Sequence, residues 1–131
     1  MPIKDAIVCV DDEAIILFAL KQELRANFGN KFIYETALNA NKAYEIIDEL
    51  VRDGIKNILI ISDWIMPGIK GDAFLIEINK KYPNIKGIII SGQAHIPAIE
   101  NAKKECNLIA FINKPWASSE LINIIKETLD I

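Results

Sequence analysis

A chain of 131 residues, 51% hydrophobic and 25% charged, suits one folded domain with a substantial core and is too apolar for a disordered tail. Its formal net charge of −3 offers little to nucleic acid or anionic lipid, whose phosphates demand Lys/Arg patches, so neither is expected as a partner. No apolar run approaches the roughly 20 residues of a membrane span, because Asp, Lys or Asn interrupts each one within a few positions.

Met1-Pro2-Ile3-Lys4-Asp5 lacks the basic start and apolar stretch of a signal peptide. The continuous apolar run Ile7-Val8-Cys9-Val10 predicts a parallel strand covered on both faces. Ile16, Leu17, Leu20, Leu24 and Phe28 then recur at helical spacing. Phe32-Ile33-Tyr34-Glu35-Thr36 is more mixed and fits an edge strand. Ala43, Ile47 and Leu50, flanked by Tyr44 and Val51, mark a second helix, and Ile58-Leu59-Ile60-Ile61 a third strand. Phe74, Leu75, Ile78 and Tyr82 line the next helix, and Ile88-Ile89-Ile90 the next strand. Pro97 stands at the first turn of a helix carrying Ala98, Ile99, Ala102 and Cys106. Ile109-Ala110-Phe111-Ile112 supplies a fifth strand, and Leu121, Ile122, Ile125 and Leu129 the last helix. Cys9 and Cys106 lie in apolar segments without metal-ligand spacing and read as small buried hydrophobes, which predicts a reducing, cytoplasmic location. No repeat or linker-like stretch divides the chain, so one domain is expected over residues 1–131. Five βα units in succession predict a doubly wound α/β domain with a parallel sheet. Such sheets bind ligands beyond the carboxyl ends of their strands, where strand order reverses.

The polar residues that follow the strands carry the chemistry. Asp11 and Asp12 follow the first strand, Asp63 the third, Ser91 the fourth and Lys114 the fifth. If the fold is as read, all five meet at one edge of the sheet. Two carboxylates about 4 Å apart repel by about 4 kcal/mol at an effective dielectric near 20. A hard divalent cation with oxygen ligands relieves that repulsion, and Mg²⁺ typically takes one or two carboxylates together with waters and a phosphate oxygen. Three carboxylates, a hydroxyl and an ammonium are the parts needed to hold a phosphoryl group made on a carboxylate. Taken singly, each has a plainer explanation: an Asp or Ser at a strand end is most often a cap or turn residue, and a lone lysine a solvated one. The joint pattern is what those explanations do not produce.

Val10-Asp11-Asp12-Glu13, Asp63-Trp64-Ile65-Met66-Pro67-Gly68, Ile90-Ser91-Gly92 and Asn113-Lys114-Pro115-Trp116 resemble the four signature segments of response-regulator receiver domains in two-component signalling. The resemblance runs from Ile7 to about Leu129, with the segments in family order. It implies a flavodoxin-like (βα)5 fold with strand order 2-1-3-4-5. It also implies that Asp63 is the phosphoacceptor, phosphorylated from the phosphohistidine of a sensor histidine kinase or phosphotransfer protein. By the same resemblance Asp12 and Asp63 ligate Mg²⁺ directly, Asp11 does so through water, and the backbone carbonyl of Ile65 completes the protein's share. Lys114 would pair with the phosphoryl group, and Pro115 would follow a cis peptide bond. A phosphoryl group adds roughly two negative charges, towards which Ser91 would swing while Phe111 moves inward, altering the face made by the fourth helix, fifth strand and fifth helix. Ile65, Gly92 and Gln93 would border the path of attacking water, with Ile65 shielding and Gly92 opening the site. Such a domain is a signalling module and not an enzyme in the ordinary sense.

Some positions depart from the pattern. Lys70 stands where many receivers carry an Asp, so capping of the third helix is expected to pass to another residue. Phe111 lacks the hydroxyl of the commoner Tyr. The segment 106–110 lacks the acidic pair that many DNA-binding regulators use to dimerise, and Asn107 is expected to end the fourth helix in a left-handed conformation. His95, the only histidine, reads as a loop residue. Trp64 and Trp116 flank the site and fit either partner contact or packing. An Asp-nucleophile phosphatase would want a second Asp where Ile65 stands, and Asp11-Asp12-Glu13 would repel a flavin phosphate. A degenerate receiver acting without phosphorylation is the remaining alternative, against which the intact set of Asp11, Asp12, Asp63, Ser91 and Lys114 argues. No output segment follows the last helix, which leaves open a stand-alone receiver or part of a longer chain, and leaves the output partner unknown.

Overall fold

The computed structural model describes residues 3–92 and 96–129. Strands β1 (Asp5–Val10), β2 (Ile33–Ala37), β3 (Asn57–Ser62), β4 (Lys86–Ser91) and β5 (Leu108–Asn113) alternate with helices α1 (Ala14–Phe28), α2 (Ala40–Arg52), α3 (Gly71–Lys81), α4 (Ile96–Glu105) and α5 (Ser118–Leu129). The strands pair in parallel in the order β2-β1-β3-β4-β5, a flavodoxin-like arrangement that leaves β2 as the expected edge.

Side chains alternate across each strand, so a continuous apolar run serves two core layers at once. Val8, Ile60 and Ile89 face a layer completed by Ala43, Ile47, Phe74, Ile78 and Ala102 from α2, α3 and α4. Their neighbours Ile7, Cys9, Ile61, Ile88 and Ile90 face the opposite layer, closed by Leu20 and Leu24 of α1 and Leu121 and Ile125 of α5. Phe32 is buried just ahead of β2, which begins one residue later than the sequence pattern predicts. Gly29 closes α1 with φ of 57°, a left-handed value that favours glycine, and its carbonyl accepts a hydrogen bond of 2.8 Å from the Tyr34 hydroxyl.

One local expectation is corrected. Lys70 itself occupies the cap position of α3, and no side chain caps that helix. Its first turn is held instead by the Phe74 N–H donating to the Lys70 carbonyl, with Asp72 supplying the negative charge that favours a helix start. Asn107 lies two residues beyond the end of α4 and acts as a bridge. Its N–H donates to Asn79 Oδ1 and its amide to the Pro83 carbonyl, both at 2.6 Å, joining the residue before β5 to α3 and to the loop before β4. Cys9 is buried, which pushes its thiol up to about 12, and partial burial pushes Cys106 up to about 11, so both are poor nucleophiles. Among the described residues no helix is long and apolar enough to cross a membrane.

Candidate functional site

Three polar residues reach the carboxyl edge because the sheet ladders run one rung past their strands. The Asp11 N–H donates to the Ala37 carbonyl at 3.1 Å, Asp63 N–H to Val10 at 2.9 Å, and Lys114 N–H to Ser91 at 3.0 Å. Backbone positions fixed this way hold their side chains with sheet-like rigidity. Asp11, Asp12 and Asp63 each bring a carboxylate oxygen within 4.8 Å of the others, and among the described residues they form the one cluster of this kind.

The two inner carboxylates divide their oxygens alike. Asp11 Oδ1 accepts from the Glu13 N–H at 2.9 Å, and its Oδ2 pairs with Lys114 Nζ at 2.9 Å. Asp63 Oδ1 accepts from the Trp64 N–H at 2.8 Å, and its Oδ2 lies 3.4 Å from the same ammonium. Asp11 is 2% exposed and Asp63 9%, while Asp12 is exposed at the rim. The cluster of three carboxylates thus has one ammonium, paired with Asp11 and Asp63, which leaves two negative charges in excess. At 4.8 Å separation each carboxylate pair repels by about 3 kcal/mol at an effective dielectric near 20.

That imbalance sets the ionisation of the site. Burial pushes the Asp63 carboxyl above its ordinary value, and the Asp11 charge adds to the push. Attraction to Lys114 and the Trp64 N–H oppose it without cancelling it. For Lys114 burial works against the charged form, but bonding and attraction to Asp11 and Asp63 outweigh it and hold the ammonium above its usual range.

The wall behind Asp63 depends on a residue the sequence reading passed over as a catalytic support. A Cβ on Gly71 would sit 2.2 Å from the Asp63 carbonyl oxygen, so only glycine lets α3 begin this close to the end of β3. The Gly71 N–H donates to the Trp64 carbonyl at 2.7 Å, and the Ser62 hydroxyl to the Asp63 carbonyl at 2.8 Å. Trp64 is buried and donates through Nε1 to Asp72 Oδ1 at 2.9 Å, with the Lys70 ammonium 5.7 Å above its ring. Its ring packs in the core layer shared with α3.

Of the other predicted residues, Ser91 ends β4 and is buried, and Phe111 is half-buried against the layer that holds α4. The Lys114-Pro115 peptide bond is cis, as the resemblance implied. Ile65 is 46% exposed, and a Cβ on the exposed Gly92 would meet nothing within 4 Å among the described residues. Gln93 and His95 lie outside the described residues. Neither Asp12 nor Asp63 occupies a cap position, so the helix-capping explanation of those acids fails.

An acidic triad with one lysine stands at the carboxyl edge of a 2-1-3-4-5 parallel sheet. Residues 7–126 match the response regulator receiver domain, and the chain belongs to that family of two-component systems. It is 29% identical over 124 residues to the hydrogenase transcriptional regulatory protein HoxA of Cupriavidus necator, covering 95% of this chain and 24% of that protein. The sensor kinase CckA of Brucella abortus is 28% identical over 124 residues, 95% of this chain and 12% of that protein. The chain thus spans about a quarter or less of these relatives. A CheY-like response regulator receiver domain protein from Methanospirillum hungatei superposes with a TM-score of 0.81 at 28% identity, over 98% of this chain and 95% of that one.

Proposed function

We propose that the whole chain, residues 1–131, is one receiver domain in which Asp63 accepts a phosphoryl group from the phosphohistidine of a sensor kinase or phosphotransfer protein. The observation that carries this is the charge arrangement around Asp63: a largely buried carboxylate, 3.4 Å from an ammonium, beside two further acids. In the transfer the P–N bond to the donor imidazole breaks, a P–O bond to the Asp63 carboxylate forms, and the imidazole leaves with the electron pair. Asp63 is already partly desolvated, which favours attack by its oxygen. Lys114 faces the oxygens of the incoming group and offsets charge that would otherwise repel Asp11.

The donor set fits a hard cation, since three carboxylates within 4.8 Å and two surplus negative charges are the kind of site Mg²⁺ takes. Asp12 and Asp63, Asp11 through water and the Ile65 carbonyl would hold it, and when bound it supplies positive charge for the phosphoryl oxygens. Ser91 would donate its hydroxyl to the phosphoryl group, and Phe111 would follow it inward, carrying the change to α4, β5 and α5. Ile65, whose side chain cannot hold water by hydrogen bonding, shields the phosphorus and slows hydrolysis, while Gly92 leaves the site more open and Gln93 offers an amide to position water without acting as a base. Exposed Ile15, Phe18 and Leu38, at 74%, 63% and 50%, stand next to the same sheet edge and offer a protein phosphodonor an apolar platform.

Incubation with acetyl phosphate and Mg²⁺, read by intact mass, is expected to add one phosphoryl group to the native protein and none to Asp63→Ala. Equal labelling of the variant would overturn the assignment. A native protein that takes no label would favour a receiver that works by binding alone.

A further inference from the structure

Lys114 is useful only if its loop stays put, and the loop has an anchor outside the site. On one side the Lys114 N–H is tied to the Ser91 carbonyl at 3.0 Å. On the other, two residues on, Trp116 Nε1 donates to Glu23 Oε2 on α1 at 2.9 Å. The indole is half-buried and packs on the core layer shared by α1 and α5. The rest of the Glu23 carboxylate is set unfavourably: Oε1 is buried and has no hydrogen-bond partner among the described residues. Half-satisfied buried carboxylates are costly, and each one in a native protein calls for a reason. A glutamate retained only for packing would be better replaced by an apolar residue of the same length.

We propose that Glu23 is a positioning residue, which through Trp116 fixes the loop between β5 and α5 and so holds Lys114 against Asp11 and Asp63. A charged acceptor makes the stronger hydrogen bond to the indole. The bond runs from the middle of a long packed helix to a short connection, so α1 supplies the rigid reference. Displacements of about 1 Å at a charge-stabilising group can cost on the order of a hundredfold in rate. The inference rests on the proposed role of Lys114 in phosphoryl transfer, but its structural half can be read without any phosphorylation.

The test compares native protein, Glu23→Leu, Glu23→Gln and Trp116→Phe by two measurements. Hydrogen exchange at the Lys114 amide is expected to quicken about tenfold in Glu23→Leu and Trp116→Phe, with the Ile60 amide of the core unchanged. Glu23→Gln keeps an acceptor and is expected to exchange as the native protein does. Labelling by acetyl phosphate is expected to slow at least about fivefold in the same two variants and to stay within about twofold of native in Glu23→Gln. Native exchange at Lys114 in Glu23→Leu would overturn the proposal, as would a loss spread equally over Ile60. Faster exchange at Lys114 in a protein that is never labelled would uphold the anchor and instead remove the phosphoacceptor reading.

Discussion

Two clusters of acid and lysine sit at opposite ends of this sheet, and they are built to opposite ends. At the carboxyl edge Asp11 and Asp63 share Lys114 beside a third acid, Asp12, and burial drives the Asp63 carboxyl up. At the amino edge Asp48 meets Lys81 at 3.1 Å and also accepts a hydrogen bond from the Tyr82 hydroxyl. There one carboxylate has two donors, and the Tyr82 bond, followed by that of Lys81, draws the Asp48 carboxyl down. Asp48 is satisfied and only half-buried, so it adds slightly to stability and asks for nothing further. The upper cluster is short of positive charge in a buried place, which is unfavourable for folding and useful for taking up a cation and an anionic group together. Excess charge of one sign, held rigidly, separates the site from the surface ion pair.

The largest break in this comparison should come from Lys114→Ala. Removing the ammonium leaves Asp11 and Asp63 unpaired, and breaking a buried pair from one side typically costs about 3 kcal/mol or more. Urea unfolding in metal-free buffer is expected to show that loss, and a change below about 1 kcal/mol would mean that water already screens the cluster.

Next in size is the response to Mg²⁺. Binding to the folded state alone adds about 2.7 kcal/mol at a hundredfold excess over Kd. Thermal melting should rise with Mg²⁺ in the native protein and stay flat in Asp12→Ala. An undiminished rise in that variant would place the cation elsewhere.

The lifetime of the phosphorylated state tests how well Ile65 shields it. Once donor is removed, Ile65→Asn is expected to lose label several-fold faster in Mg²⁺, since an amide can orient attacking water within about 3 Å. Unchanged or slower loss would show that the 46% exposed Ile65 side chain does not govern access.

The smallest effect belongs to the amino edge. Because the Asp48 carboxyl is depressed, its contribution is present above the unfolded value near 3.9 and lost as pH falls through the folded one. Asp48→Asn should therefore lower Tm by roughly 1–2 °C at neutral pH, the size expected of an exposed pair. The gap should close below about pH 4. A gap that widened in acid would reverse the sign assigned to Asp48.

Much of the fold was readable along the chain, for a simple reason. Parallel strands covered on both faces need unbroken apolar runs, and Ile58–Ile61 or Ile88–Ile90 have few other uses. The strand ends were read short because ladders continue through polar residues such as Asp5, Asn57, Lys86 and Asn113, which hydropathy does not count. In α1 the run Ala14-Ile15-Ile16-Leu17-Phe18 is apolar all round, yet helical spacing picks out Leu17 with Leu20, Leu24 and Phe28 and leaves Ile15 and Phe18 to solvent, as found. Capping was misjudged at Lys70 because the first turn of α3 is held by backbone and by its place against Trp64, not by a side chain.

The sequence by itself determined which polar residues stand at the strand ends, since each is covalently attached to an apolar run that must be buried. It also determined the family, through four segments whose order and spacing survive on a single line. Only the tertiary structure decided how those residues share charge. Lys114 and Asp11 are 103 positions apart, and Trp116 and Glu23 are 93 apart. The need for glycine at position 71 likewise arises from an approach between the start of α3 and the end of β3 that no local pattern records. Distances of 2 to 3 Å between remote residues follow from how helices settle on the sheet, and it is at that range that hydrogen bonds and ion pairs are made.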